Sequence, residues 1–396
     1  MSPDPAHTTQ VAPPPPSRVL AGLCVVEFLS WGVLYYSLPL AALQIAAETS
    51  WPILTVSAVY TACLLCAAVL GPWAGRLVDR YGPRRVMAAG SLLGAGGMAL
   101  SMSTPFLALF GLGWLIAGAA QACTLYPPAF AAATQWFGTH RTWPITAITL
   151  AGGVSSAVFA PVTAALVDAL GWRPAFGVLA LGYGLVSISV AVVLLTPPWT
   201  RPHRTGTDHA QFISSVVRAP TFRITRLALA LPAAGLYAVT LNMIPLLQEY
   251  GFDYRDAAVV FGLVGAGQLL GRLAFLPLNR RGTPRTRTMT QAGLSALALF
   301  GVAVVSTPAS LVIAAAVFAG AVRGAHTLSV AAAVSDRWGQ DSYATIFGRF
   351  HFPIAISMAI APVLGSLTAT TLGSYRGAAV GFAVLALFAV AMARRT

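Results

Sequence analysis

Runs of apolar residues long enough to cross a bilayer alternate with short polar connections along the whole chain. A window of about 19 residues, the helical length that crosses a bilayer core, resolves twelve runs. In the first half they cover 18–42, 53–74, 86–104, 106–134, 143–167 and 174–196, the third and fourth almost meeting at Thr104-Pro105. In the second half they cover 225–247, 257–278, 288–306, 309–333, 344–368 and 376–393. The runs are continuous, unlike the short alternating segments of a transmembrane barrel, so each predicts a helix. Between the second and third lies Gly75-Arg-Leu-Val-Asp-Arg-Tyr-Gly-Pro-Arg-Arg85. A loop this charged, set between runs this apolar, is an aqueous turn joining two membrane spans.

Two segments break the rhythm. Residues 1–17 are polar and carry Pro13 to Pro16, which predicts a disordered tail; they lack the charged start of a secretory signal. Residues 197–224, with prolines, His203 and several arginines, read as a linker between six-span halves at 18–196 and 225–396. The halves repeat: Ala117-Gly-Ala-Ala-Gln121 matches Ala319-Gly-Ala-Val-Arg323, and Ala160-Pro-Val162 matches Ala361-Pro-Val363. Arg80, Gly82 and Arg85 map onto Arg280, Gly282 and Arg285, and Tyr36 and Pro39 onto Asn242 and Pro245. Matches in one order at nearly one offset point to duplication.

Composition narrows the class. Of the 396 residues 57% are hydrophobic and 9% charged, more apolar surface than a soluble fold can hide. All the basic residues are arginine, and with the N-terminus inside, eighteen fall on the inner side and only Arg173, Arg255 and Arg376 on the outer. That asymmetry predicts cytoplasmic termini. It also accounts for the net charge of +13 without nucleic acid, since no basic patch is interleaved with stacking aromatics. Arginine and alanine usage suggests a GC-rich bacterial genome, hence a bacterial cytoplasmic membrane. Cys24, Cys63, Cys66 and Cys123 sit within apolar runs, so a metal or redox role is not expected. No phosphate-binding Gly-x-x-x-x-Gly-Lys loop occurs, and no His/Asp/Glu cluster has catalytic spacing; neither cofactor nor enzyme activity is expected.

Charges inside spans cost roughly 2.5–3.5 kcal/mol each on insertion scales, so those that remain call for a reason. Arg323 is the deepest, with His326 one turn on. It reads as an anchor for an anionic solute, or as the partner of a carbonyl or of Glu27. Arg272 lies about two turns from the inner loop and is either a binder or an anchor that snorkels. Arg349, with His351, opens the eleventh span at shallow depth, where a gate or snorkelling role competes with binding. Glu27 is the one carboxylate well inside a span: a proton carrier, or half of a static ion pair. Tyr35, Tyr36, Gln121, Tyr126 and Asn242, with Trp31, are candidate cavity walls. Trp51, Trp172 and Tyr375 read as interfacial belt residues.

The Gly75–Arg85 pattern resembles the loop between spans 2 and 3 of the major facilitator superfamily. The resemblance implies an all-α membrane fold of twelve transmembrane helices in two pseudo-symmetric six-helix bundles around a central cavity. It also implies alternating access without a cofactor. In that family the loop is a cytoplasmic gate, which gives Gly75, Asp79, Arg80, Gly82 and Arg84 gating roles; a plain topogenic turn would need only the arginines. Gln268-Leu-Leu-Gly-Arg272 and Trp31-Gly-Val-Leu-Tyr-Tyr36 resemble the monocarboxylate and oxalate/formate porter-like branch, although Gln268 stands where mammalian members carry an acid. The expected solute is a small organic carboxylate, coupled to protons or exchange and carried by a monomer. A proton-driven exporter of a hydrophobic drug or metabolite is the alternative, and a non-transporting sensor the alternative from another class.

Overall fold

The computed structural model describes residues 17–200, 206–278 and 282–396. The tail 1–16, linker residues 201–205 with Arg201 and Arg204, and Asn279, Arg280 and Arg281 lie outside the described residues. Everything regular in the described chain is helix. Spans 1 to 6 are Ser17–Thr49, Ile53–Tyr81, Pro83–Met102, Leu107–His140, Thr142–Leu170 and Trp172–Leu194. Span 7 is Pro220–Leu241 continued by Met243–Glu249. Spans 8 to 12 are Tyr254–Leu278, Pro284–Val304, Ala309–Trp338, Tyr343–Leu372 and Tyr375–Ala393. Ten of the twelve are long and apolar enough to cross a membrane by composition; spans 3 and 9 are not among them. Both open on arginines and are rich in small or hydroxylated residues, which lowers their hydropathy although each keeps an exposed apolar face.

The duplication is visible in the packing. Span 1 lies against spans 5 and 6, span 2 against span 4, and span 3 against spans 4 and 6. Six positions on, span 7 lies against 11 and 12, span 8 against 10, and span 9 against 10 and 12. Between halves, span 2 runs along span 11 and span 5 along span 8, one pair of positions exchanged. Even close backbone approaches recur: a Cβ on Gly118 would strike the carbonyl of Cys63, and one on Gly320 the carbonyl of Val264. Outward-facing side chains such as Leu92, Val193, Leu297 and Phe388 are apolar and exposed, as a lipid-facing surface requires.

Three hydrophobic cores hold the bundle. One belongs to the first half, around Leu34, Phe110, Trp114 and Phe176, and one to the second, around Leu236, Leu247, Leu299 and Phe382. The third crosses between halves at the arginine-rich end, joining Phe130 and Ile145 to Phe275, Leu328 and Phe347. Helix Gly206–Arg218, inside the linker segment, buries Ile213 and Val216 in this shared core. Trp172 is not a belt residue: Gly171, at φ +78°, turns the chain so that the ring packs on Phe110 and Phe176 at 1% exposure.

Candidate functional site

Discontinuities in spans 1, 4 and 7 shape the middle of the molecule. Pro127 and Pro128 lack N–H groups, and proline biases the residue before it away from helix. Span 4 accordingly breaks at Leu125, one residue ahead of the pair's N-terminal neighbour, and restarts at Tyr126. Span 1 widens to a π-helix over Ser30–Tyr36, re-aiming Trp31, Tyr35 and Tyr36. Span 7 breaks at Asn242.

The broken helices border a cavity between the halves, with about 1030 Å³ of empty space including its part open to solvent. Trp31, Tyr35, Gln121, Tyr126 and Phe130 line it from the first half. Tyr237, His326, Phe347, His351 and Phe352 line it from the second. At the arginine-rich end Phe130 meets Phe347 edge to face at 6.0 Å, an aromatic floor joining the halves. At the opposite end, segments 37–49 and 243–249 pack mainly on helices of their own halves.

Arg323 is not among the lining residues; it lies behind the wall, against Tyr237 and one turn from His326, which do line the cavity. Its guanidinium stacks over Tyr237 at 4.0 Å, and Nη1 donates to Thr240 Oγ1 at 2.9 Å. His326, one turn on, is 2% exposed, and neither ring nitrogen has a hydrogen-bond partner among the described residues. His351 faces the same space, stacked on Phe347 at 5.4 Å. Gln121 occupies in the first half the place of Arg323 in the second. Its amide donates to the Leu34 carbonyl at 2.8 Å, and the repeat offset that relates Tyr36 to Asn242 relates Leu34 to Thr240.

Arg272 is buried beside the seam of spans 5 and 8, outside the cavity wall. Its Nη1 donates to the Thr149 carbonyl at 2.5 Å, which also accepts from the Tyr126 hydroxyl at 3.3 Å. A Cβ on Gly153 would strike the same guanidinium, so this glycine makes room for it. Tyr126 in turn packs at a tilt against Trp31 at 4.9 Å, and Trp31 Nε1 donates to Glu27 Oε2 at 3.0 Å. Glu27 is fully buried, Oε1 has no partner, and among the described residues it forms no ion pair. A chain of contacts therefore runs Glu27–Trp31–Tyr126–Thr149–Arg272, hydrogen-bonded except at the Trp31–Tyr126 ring contact, and these two rings also line the cavity.

Other residues fall elsewhere. Asn242 joins span 7 to span 11 by accepting from Ser366 at 3.0 Å and lines a small separate pocket. Tyr36 packs on Tyr35 and Trp31 and is not among the cavity walls. Arg349 is half-buried near Arg76, toward the arginine-rich end. In the Gly75–Arg85 stretch, Asp79 Oδ2 accepts from the Thr345 backbone N–H at 2.8 Å, at the N-terminus of span 11. A Cβ on Gly75 would strike the Ala344 carbonyl, and Gly82, at φ +83°, lies against Trp199. Arg80 and Arg84 are exposed, Arg80 lying over Tyr81. Among the described residues no group of three or more His, Cys, Asp or Glu could hold a metal.

A family model described as Major Facilitator Superfamily matches residues 23–352. The chain belongs to the Major Facilitator Superfamily. Its curated relatives include monocarboxylate transporter 13 of Rattus norvegicus, 28% identical over 62% of this chain and 55% of that protein. They also include the Fujikurins efflux protein of Gibberella fujikuroi, 22% identical over 52% of this chain and 43% of that protein. The chain spans a little over half the length of the monocarboxylate transporter it matches. Among solved structures, the human organic anion transporter MFSD10 aligns at TM-score 0.74 and 17% identity, covering 96% of this chain and all of that one. The E. coli fucose:proton symporter FucP aligns at TM-score 0.74 and 15% identity, covering 95% and 98%. The relatives and neighbours are transporters, not enzymes. The superfamily fold and the monocarboxylate-like likeness agree with the sequence motifs.

Tyr237, Phe130 and Phe347 carry much of the site and were not singled out by sequence. For Tyr237 a signal existed: the offset pairing Tyr36 with Asn242 places it opposite Trp31.

Proposed function

We propose that the chain is a secondary transporter moving a small organic anion, most simply a carboxylate, across a bacterial cytoplasmic membrane by alternating access. The arginine-rich end is then cytoplasmic, and the arrangement described is closed to the cytoplasm. Halves at 18–196 and 225–396 rock about the cavity, joined by the linker 197–224. Asp79, Gly75 and Gly82 hold the cytoplasmic side shut, with Arg80 and Arg84 as fixed charges at the membrane face.

One observation carries this reading: a guanidinium inside the bundle, Arg323, lies directly behind the wall of a cavity shared by both halves, against the lining residue Tyr237, its charge held among the described residues by an aromatic ring and a hydroxyl and not by a carboxylate. A cation kept there without a counter-ion is set to receive one. The monocarboxylate-transporter relatives support the anionic class. Glu27, buried and among the described residues outside any ion pair, would carry a coupling proton, with Trp31 and Tyr126 between it and Arg272. Solute exchange in proteoliposomes tests the reading. Arg323→Gln should remain in the membrane and lose exchange, whereas wild-type flux in that variant would remove the anchor.

The apolar walls and the fungal efflux relative favour a second reading, an exporter of a hydrophobic solute. It expects Arg323→Gln and Arg272→Gln to leave flux intact. A non-transporting sensor would bind ligand and show no flux in either protein.

A further inference from the structure

The cavity is too apolar for the smallest carboxylates. From span 10 it is lined by His326, which shares a helix face at one-turn spacing with Arg323 behind the wall. Apart from Gln121, Thr327 and His351, the rest of the wall is mostly ring and hydrocarbon. Tyr126 and Phe130 stack face to face at 5.1 Å, Trp31 lies beside them, and Phe347 closes the floor from the other half. A two- or three-carbon acid would satisfy the polar corner and leave these faces in water. An aryl group would cover them, because ring faces gain most from stacked or edge-on partners.

His326 sharpens the point. A buried imidazole with both nitrogens unpartnered, at the wall of a cavity, is a hydrogen-bonding group waiting for a ligand. Its ring N–H can donate to a carboxylate oxygen while the guanidinium behind it balances the charge.

We propose that the solute is an amphipathic aromatic carboxylate, its carboxylate on His326 with Arg323 behind it and its ring between Trp31, Tyr126, Phe130 and Phe347. The inference rests on the anion reading above and narrows it to a class. His326 then sets affinity and the ring cluster sets selectivity.

The test measures the melting temperature of the purified full chain against three probes: 3-phenylpropionate, propionate and 3-phenylpropanamide. A ligand that binds the folded state stabilises it by mass action. The expected result is a concentration-dependent rise with 3-phenylpropionate alone. His326→Gln should weaken that binding by about tenfold, the scale of one hydrogen bond to a charged group. Phe347→Leu should weaken it too, while a propionate response, if any, stays unchanged. An equal rise with propionate overturns the aromatic class and leaves the anion reading standing. An equal rise with the amide overturns both. No rise with any probe overturns the inference, and the flux of Arg323→Gln still judges the anion reading by itself. If either variant fails to fold, the three-probe series on the unaltered chain decides.

Discussion

Two seams join the halves, and they occupy equivalent positions under the internal repeat while using opposite chemistry. Along spans 2 and 11 the backbones nearly touch: Gly75 faces the Ala344 carbonyl, and a Cβ on Gly348 would come within 2.9 Å of the Gly71 carbonyl. Asp79 receives the Thr345 N–H there at a helix N-terminus, where negative charge is favoured. Along spans 5, 8 and 10 side chains fill the gap. Phe275 stands where the first half has Gly75, and Asp336 is shared by Arg141 across the seam at 2.9 Å and Arg287 at 2.8 Å. Duplication preserved the helices and freed the contacts. One seam is set by steric fit and a dipole, the other by guanidinium groups that water can replace when the seam parts. Such a pair can hinge at one seam while the other supplies charge, and each seam should respond to different perturbations.

The largest effect is expected at the glycine seam. Gly75→Leu places a side chain on backbone that cannot yield, an overpacking cost of about 1–3 kcal/mol or more. Spin labels at positions 81 and 340, both exposed beside this seam, should move apart, while a pair at 140 and 285 beside the other seam should move less. Equal movement at both would mean that the seams act as one unit.

Next comes Asp336→Ala. It removes the carboxylate that Arg141 and Arg287 share; these are 19% and 27% exposed at the side chain, so the cost falls between a surface and a buried pair, about 1–3 kcal/mol. The 140–285 distance should lengthen and high salt should have the same direction of effect on the unaltered protein, since screening weakens charge pairs. Labels at 81 and 340 should be indifferent to salt. A salt response there would contradict the steric account of that seam.

How much of this was readable beforehand divides along the same line. Spans, halves and the special loop were legible because a bilayer forces every backbone polar group into helix and expels charge to the ends. Arg323 and Glu27 stood out for the same reason: lipid makes any interior charge conspicuous. The aromatic wall did not, because Phe130 and Phe347 in an apolar run look identical to lipid-facing residues. The Arg141–Asp336 pair was equally hidden, its members lying in different halves with no local pattern to join them. Asn242 was legible as a polar oddity in span 7, but its side chain serves the joint with Ser366 and not the cavity. Its helix breaks at that residue and carries it off the wall, which periodicity alone does not foretell.

Asp79→Asn should have a moderate effect, confined to the glycine seam. The amide keeps the shape and a weaker acceptor but loses the charge at the start of span 11, about 1–2 kcal/mol for a charge-assisted bond and its dipole. The 81–340 distance distribution should broaden toward open forms without the full shift of Gly75→Leu.

The smallest effect belongs to Arg80→Gln and Arg84→Gln, and it decides what the loop is for. Both side chains are exposed, and among the described residues neither makes a hydrogen bond or ion pair to the other half; Arg80 rests on its neighbour Tyr81 at 5.1 Å. Surface changes of this kind usually move stability by less than about 0.5 kcal/mol, so both label pairs should stay where they are. Insertion is another matter, because these charges belong to the arginine excess that fixes which end stays inside. If neutralising them opens the seam as far as Asp79→Asn does, the loop closes the gate through its arginines and the steric account of spans 2 and 11 fails. If the seam holds and only the membrane orientation suffers, glycine and aspartate shut the gate while arginine orients it.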